Sequence, residues 1–153
     1  MHNDDEPTLT AQIARLMRTT DPLQKANETR DLVAQWRKGK FATIGDSHPP
    51  DRPGRPEQPQ LRPPREVPRR RITRSASGRI ALIHAIAHIE LNAIDLALHM
   101  ACRFVSHKMP RDFYADWLSV ADDESRHFMM LVDRLAKLDA SYGDLPAHDG
   151  LWQ

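Results

Sequence analysis

IALIHAIAHIELNAIDLALHMAC, residues 80–102, is the stretch on which the fold turns. It runs 23 residues without Lys or Arg, long enough to match a membrane span. It also carries His84, His88, Glu90, Asn92, Asp95 and His99. A carboxylate near a bilayer midplane costs roughly 2.5 to 3.5 kcal/mol on insertion scales, and this stretch has two. The reading that fits is a buried helix of a soluble protein with no membrane partner. Ile83, Ile86, Ala87, Ile94, Ala97 and Ala101 recur at the helical period, and Glu90 lies in the middle of that apolar stripe.

A second helical pattern follows across a break near His107-Lys108-Met109-Pro110, so helices are expected over about 78–106 and 110–139. Ser77 is placed to cap the first, Pro110 falls in the opening turn of the second, and the Tyr142-to-Pro146 run stops it. The second stripe is Phe113, Trp117, Val120, Ala121, Phe128, Leu131 and Leu135, with Glu124 inside it and His127 one turn along. Counting from residue 108, Glu90 is 18 residues before the turn, and Glu124 and His127 are 16 and 19 after it. With about 1.5 Å of rise per residue, antiparallel helices bring all three to within about one turn of the same height. Two ionised carboxylates on facing apolar stripes demand a compensating cation, and neither stripe offers Lys or Arg at that level. A metal ion is the economical answer, and carboxylate with imidazole suits iron best, with manganese as the alternative.

Glu124-Ser125-Arg126-His127 is an E-x-x-H pair, whose i, i+3 spacing presents a bridging carboxylate and a terminal imidazole on one helix face. Asp123 and Arg126 flank it: Asp123 could orient an imidazole and Arg126 neutralise Asp123, or the two could simply form a solvated surface ion pair. A competing constellation, His84, His88, Asp95 and His99, occupies one narrow stripe on the opposite face of the first helix. His84 and His88 at i, i+4 could bind metal themselves; the milder reading is that these groups hydrogen-bond the N-terminal helices or an arm packed over that face.

The remainder divides by composition. Eight of the 12 prolines fall between Pro49 and Pro68, which forbids a regular helix or central strand there. The chain therefore reads as an N-terminal helical segment (1–48), a Pro/Arg-rich arm (49–77) and a helical hairpin with a C-terminal tail (78–153), built around one core. Leu9, Ile13, Leu16 and Met17 mark one N-terminal helix; Asp21-Pro22-Leu23-Gln24 opens a second, which Gly39 ends. No convincing strand pair and no internal repeat is legible. From Asp51 to Arg79 nine arginines face three acids. Arg69-Arg70-Arg71 and Arg74 could meet RNA phosphates, or the arm could wrap along an acidic surface of the domain. The overall balance of 22 basic and 21 acidic residues gives no global drive toward nucleic acid or anionic membrane. One cysteine, Cys102, excludes an intrachain disulfide framework, and an acidic N-terminus without an apolar h-region excludes a standard secretory or transit signal, so the expected location is cytoplasmic. No nucleophile motif, Walker loop or Gly-rich dinucleotide fingerprint supports hydrolase, kinase or dehydrogenase chemistry.

Asp123-Glu124-Ser125-Arg126-His127 resembles the D-E-x-R-H motif of di-iron carboxylate oxygenases of ferritin-like fold. The longer strings HAIAHIELNAID (84–95), DWLSVADDE (116–124) and YGDLPAHDGLW (142–152) resemble a bacterial ferritin-like family named only as a domain of unknown function (DUF455-type), related to the di-iron tRNA-modifying hydroxylases. The resemblance runs through essentially the whole chain. It implies an all-α, ferritin-like four-helix-bundle architecture of which this hairpin is half. Glu90, Glu124 and His127 then correspond to the first half of a di-iron ligand set, and the implied activity is O2-dependent hydroxylation, with a modified tRNA base as one suggested substrate.

Proteins of the resembled kind continue into two further helices with another Glu and a second E-x-x-H, whereas after residue 127 this sequence has only His148. Two outcomes are expected. Two chains pair their hairpins about a two-fold axis and complete bundle and site as a homodimer, or the sequence is a shortened product with an incomplete site. The alternative to the hydroxylase is a non-catalytic metal-binding or interaction module.

Overall fold

The computed structural model describes residues 6–68 and 74–152. Among these, four helices hold nearly all the regular structure: α1 (Leu9–Arg18), α2 (Pro22–Arg37), α3 (Ala76–Arg103) and α4 (Arg111–Lys137). The expected all-α helical architecture is present. One minimal strand pair interrupts it: β1 (Leu61–Arg62) lies parallel to β2 (Ala147–His148), a contact that two-residue segments are too short to announce in sequence.

Local chemistry explains the helix ends. Asp21 caps α2, its Oδ1 accepting from Gln24 N at 2.7 Å, with Pro22 in the first turn. Gly39, at φ +75°, turns the chain away after α2. The cap of α3 is Ser75 rather than Ser77, its hydroxyl accepting from Gly78 N at 3.1 Å, so the helix begins two residues earlier than its apolar pattern suggests. Pro110 is the N-cap of α4 rather than a residue of its first turn. At the far end Asp139, left-handed at φ +55°, stops α4 before the Gly- and Pro-bearing run at 142–146 is reached.

α3 and α4 form an antiparallel hairpin across the short 104–110 connection, α1 packs on α3, and α2 packs on α4. Ala87, Leu91, Ile94, Leu98 and Ala101 of α3 meet Leu118, Ala121 and Phe128 of α4 in one buried core, joined by Leu9, Ile13, Leu16 and Met17 of α1. Cys102 is part of that core, its Sγ 3.7 Å from Thr10 O, and burial pushes the thiol up to about 12. α3 is long and apolar enough to cross a bilayer by length and composition, and half of that window is buried inside the protein.

The arm straps one side of the hairpin. Gly54 N donates to Met17 O at 2.7 Å, Ala147 N to Gln60 O at 3.0 Å and Asp149 N to Arg62 O at 2.9 Å. Arg52 forks onto Asp149 at 2.6 and 2.7 Å. Two arm arginines thus satisfy acids of the tail and of α3, while Arg65 and Arg74 stay exposed. Arg69, Arg70 and Arg71, the core of the expected RNA contact, lie outside the described residues. Elsewhere on the hairpin, Leu82, Ile89 and Leu96 on α3 and Val120 on α4 are 39–51% exposed, with Leu151 and Trp152 of the tail beside Ile89 and Leu96.

Candidate metal centre

Glu90 projects from the middle of α3, and Glu124 and His127 project from the middle of α4. His127 Nδ1 lies 3.3 Å from Glu124 Oε2 and 3.8 Å from Glu90 Oε2. One donor atom from each residue falls within 4.8 Å of the others, and among the described residues this is the group of three His, Cys, Asp or Glu ligands so arranged. The equal-height count from the hairpin turn therefore leads to a real convergence. The expectation that all three face the core needs correction: their side chains are 19%, 25% and 41% exposed for Glu90, Glu124 and His127. Both stripes lie at the edge of the hairpin's own core, away from the contacts of α1 with α3 and of α2 with α4.

Burial and the neighbouring Glu124 push the Glu90 carboxyl up to about 7, while the hydrogen bond from Glu90, with His127 assisting, holds Glu124 below the usual carboxylate range. Two acids this close titrate as a pair. The nearest cation, Arg126, is turned away. Its guanidinium reaches His127 Nε2 at 3.3 Å and Asp123 at 3.8 Å, with Asp123 and Arg126 both about half exposed. Asp123 therefore does not orient the imidazole. Arg126 touches its outer nitrogen, leaving Nδ1 toward the two acids. Two carboxylates and an inward ring nitrogen, with no cation among them, are a donor set that fits a divalent metal of the iron or manganese kind.

The family described as "Protein of unknown function (DUF455)" matches residues 18–153, which include every residue of this cluster. The chain belongs to the DUF455 family. A Haemophilus influenzae relative, itself described as an uncharacterized protein, is 36% identical over 152 residues, covering 93% of this chain and 52% of its own length. This DUF455 chain thus spans about half the length of the curated relative it matches. No solved structure matches the chain.

The competing polar stripe is a buried seam in this DUF455 member. His88 is sandwiched by hydrogen bonds: its Nε2 donates to His148 O at 2.7 Å, so its Nδ1 must accept from the Tyr142 hydroxyl at 2.8 Å. His84 Nε2 accepts from Gly143 N at 3.0 Å, and the Tyr142 ring stacks on His84 at 5.2 Å. Asp95 receives Lys25 Nζ at 3.0 and 3.1 Å and the Arg55 guanidinium, whose other arm donates to Asn92 Oδ1 at 2.9 Å. His99 packs edge-on against Trp152. Both ring nitrogens of His88 are engaged, and His84 Nε2 is held by Gly143, so these i, i+4 histidines tie the tail to α3. The partners Lys25, Arg55 and Tyr142 escaped the sequence reading; the one available signal was that Lys25 shares the buried helical phase of α2 with Thr29, Leu32 and Val33.

Burial holds His88 down at about 4 against an ordinary 6.5, with His148, Arg55 and His84 adding unfavourable positive potential and the His148 carbonyl opposing. The folded state therefore resists protonation. Its contribution to stability is complete above pH 6.5 and is lost as pH falls toward 4, a difference of about 3 kcal/mol. Urea midpoints should drop steeply across that window, and less steeply in His88→Gln; identical profiles for the two would contradict this account.

Proposed function

We propose that this chain is a ferritin-like di-iron carboxylate protein of the O2-dependent hydroxylase type, in which Glu90, Glu124 and His127 hold iron. What supports the reading is the convergence of Glu90 Oε2, Glu124 Oε2 and His127 Nδ1 at the midpoint of a helical hairpin. In ferritin-like di-iron bundles a Glu from one helix and an E-x-x-H from the next make up half of the ligand set, the donor pattern present here. Bound iron supplies the redox capacity to activate O2 toward a C–H bond, chemistry that no side chain in this site can provide. The residues themselves would bind and orient: Glu124 reaches both the imidazole and Glu90, so it would hold the metal between them. Arg126 steadies the ring from outside. The surrounding Ile86, Trp117 and Val120 would form a dry wall once the open side is covered.

Anaerobic titration with Fe(II) tests the ligands. The chain should bind iron with micromolar or tighter affinity, and Glu124→Ala with His127→Ala should weaken it by at least about 100-fold. Unchanged binding in the double variant would sink the assignment. A second reading, a non-catalytic metal-holding module, is favoured by the three donors that converge among the described residues. Stoichiometry separates the two: two irons per completed site and an oxo-bridge absorption band in air for the oxygenase, a single weakly held ion for the module.

A further inference from the structure

The arm and the tail do not close completely over the first half of α3. Between them lies a cavity of about 280 Å³, walled by Val67 and Pro68 of the arm, Ala81 and Ala85 of α3, and Leu145 and Pro146 of the tail. Ala81, His84, Ala85 and His88 share one helix face, turned away from Glu90. The cavity is therefore separate from the metal centre and owes nothing to the metal reading.

Fixed backbone keeps the space open. The His148 carbonyl accepts from His88 Nε2 at 2.7 Å, and the strand around it is held to the arm by Ala147 N to Gln60 O at 3.0 Å and Asp149 N to Arg62 O at 2.9 Å. The tail cannot sink onto the helix without breaking these bonds. On the helix side, Ala81 and Ala85 stop short at the i, i+4 positions from which leucines would reach across. Protein interiors close such spaces where they can, so one that is held open and lined with small side chains is shaped to take a molecule.

The lining decides what kind. No Asp, Glu, Lys or Arg lines the cavity among the described residues. Its polar groups are the imidazoles of His84, His88 and His148, whose nitrogens the protein already uses. His88 bonds at both, His84 Nε2 accepts from Gly143 N at 3.0 Å, and His148 Nδ1 accepts from Gly150 N at 3.3 Å. A nitrogen that accepts carries no proton, so these rings are uncharged. An ionic ligand would shed its water here and gain no partner. Imidazoles, prolines and alanines instead offer flat, uncharged surface, against which a planar aromatic ring packs well. Size narrows the class further: an apolar cavity of about 150 Å³ takes benzene, so nearly twice that volume takes two fused rings.

We infer that the cavity between Pro68, Ala85 and Pro146 is a binding site for a neutral, planar, two-ring aromatic molecule.

Indole is the probe, titrated into the isotope-labelled full chain and followed by amide chemical shifts. Amides of residues 81–88 and 145–148 should move, with a Kd of about 1 mM or tighter. Ala85→Leu, which fills the cavity, should weaken binding by at least about 10-fold without lowering the melting temperature. If that variant does not fold, Ala81→Leu in the same wall takes its place. Tryptamine, the same two rings bearing an ammonium group, should bind at least about 10-fold more weakly than indole. Indole that moves no amide at about 5 mM overturns the inference, as does binding that survives the leucine. Shifts confined to Ile89, Leu96 and Leu151 overturn it too, since they would place the probe in the smaller hollow beside the end of the tail. Tryptamine that binds as tightly as indole has the same consequence, because the ligand would then not be a neutral one.

Discussion

Asp95→Asn should lower the unfolding free energy by about 3–5 kcal/mol and the melting temperature by about 10 °C. Asp95 is fully buried and is the sole acid between Lys25, 1% exposed, and Arg55, 13% exposed. The trio carries one net positive charge in the folded protein; the asparagine leaves two, with no acid against them. Burial already pushes Lys25 below its usual value, with Asp95 as the main opposing influence and Arg55 pushing the same way as burial. Lys25→Met makes the complementary comparison. It forfeits the bonds from Nζ to Asp95, Met17 O and Gly54 O, but leaves a matched Arg55–Asp95 pair. It should therefore cost clearly less than Asp95→Asn, although both delete one member of the same pair. Chemical unfolding of the two variants followed by circular dichroism decides the matter: equal losses, or a loss under 1 kcal/mol for Asp95→Asn, would mean that water reaches the cluster.

Gly54→Ala is expected to lower stability by about 2–4 kcal/mol. A methyl group there would sit 2.3 Å from Arg18 O and 2.7 Å from Arg18 C, backbone atoms that cannot swing aside. The arm must lift off the end of α1, breaking the Gly54 N to Met17 O bond and pulling Gly54 O away from Lys25 and Arg55. Gly39→Ala serves as the control. Its φ of +75° strains an alanine, yet nothing lies within 4 Å, so the loss should stay near 1 kcal/mol. Hydrogen exchange adds a local readout, since Gly54→Ala should deprotect amides of the arm and of the C-terminal turn of α1 before those of α3. If the two glycine variants lose the same stability, the close approach at Gly54 contributes nothing.

Much of the architecture was legible because α3 and α4 obey one periodicity for more than seven turns each, long enough to place Glu90, Glu124 and His127 at a common level by counting from the turn. What periodicity could not convey was which side of each stripe stays open. Ile83 and Ile86 read like Ile94 and Ala97, but the first two are only partly buried, because coverage is decided by α1, α2 and the arm rather than by the helix itself. The polar seam was visible as a stripe on α3 and invisible as a network. Its partners Lys25, Arg55, Tyr142 and the His148 carbonyl come from positions 37 to 70 residues away in sequence, and no local pattern encodes such distances. Helix ends were misjudged by a few residues where two signals competed, as with Ser75 against Ser77.

The strap of arm and tail has a consequence for how such a protein can change. The polar ties that Lys25, Arg52, Arg55 and Tyr142 make sit on the strapped side, and the donor-bearing side owes little to them. Mutations that remodel what the donors face can accumulate without loosening the scaffold. The two sides of the hairpin are free to evolve at separate rates.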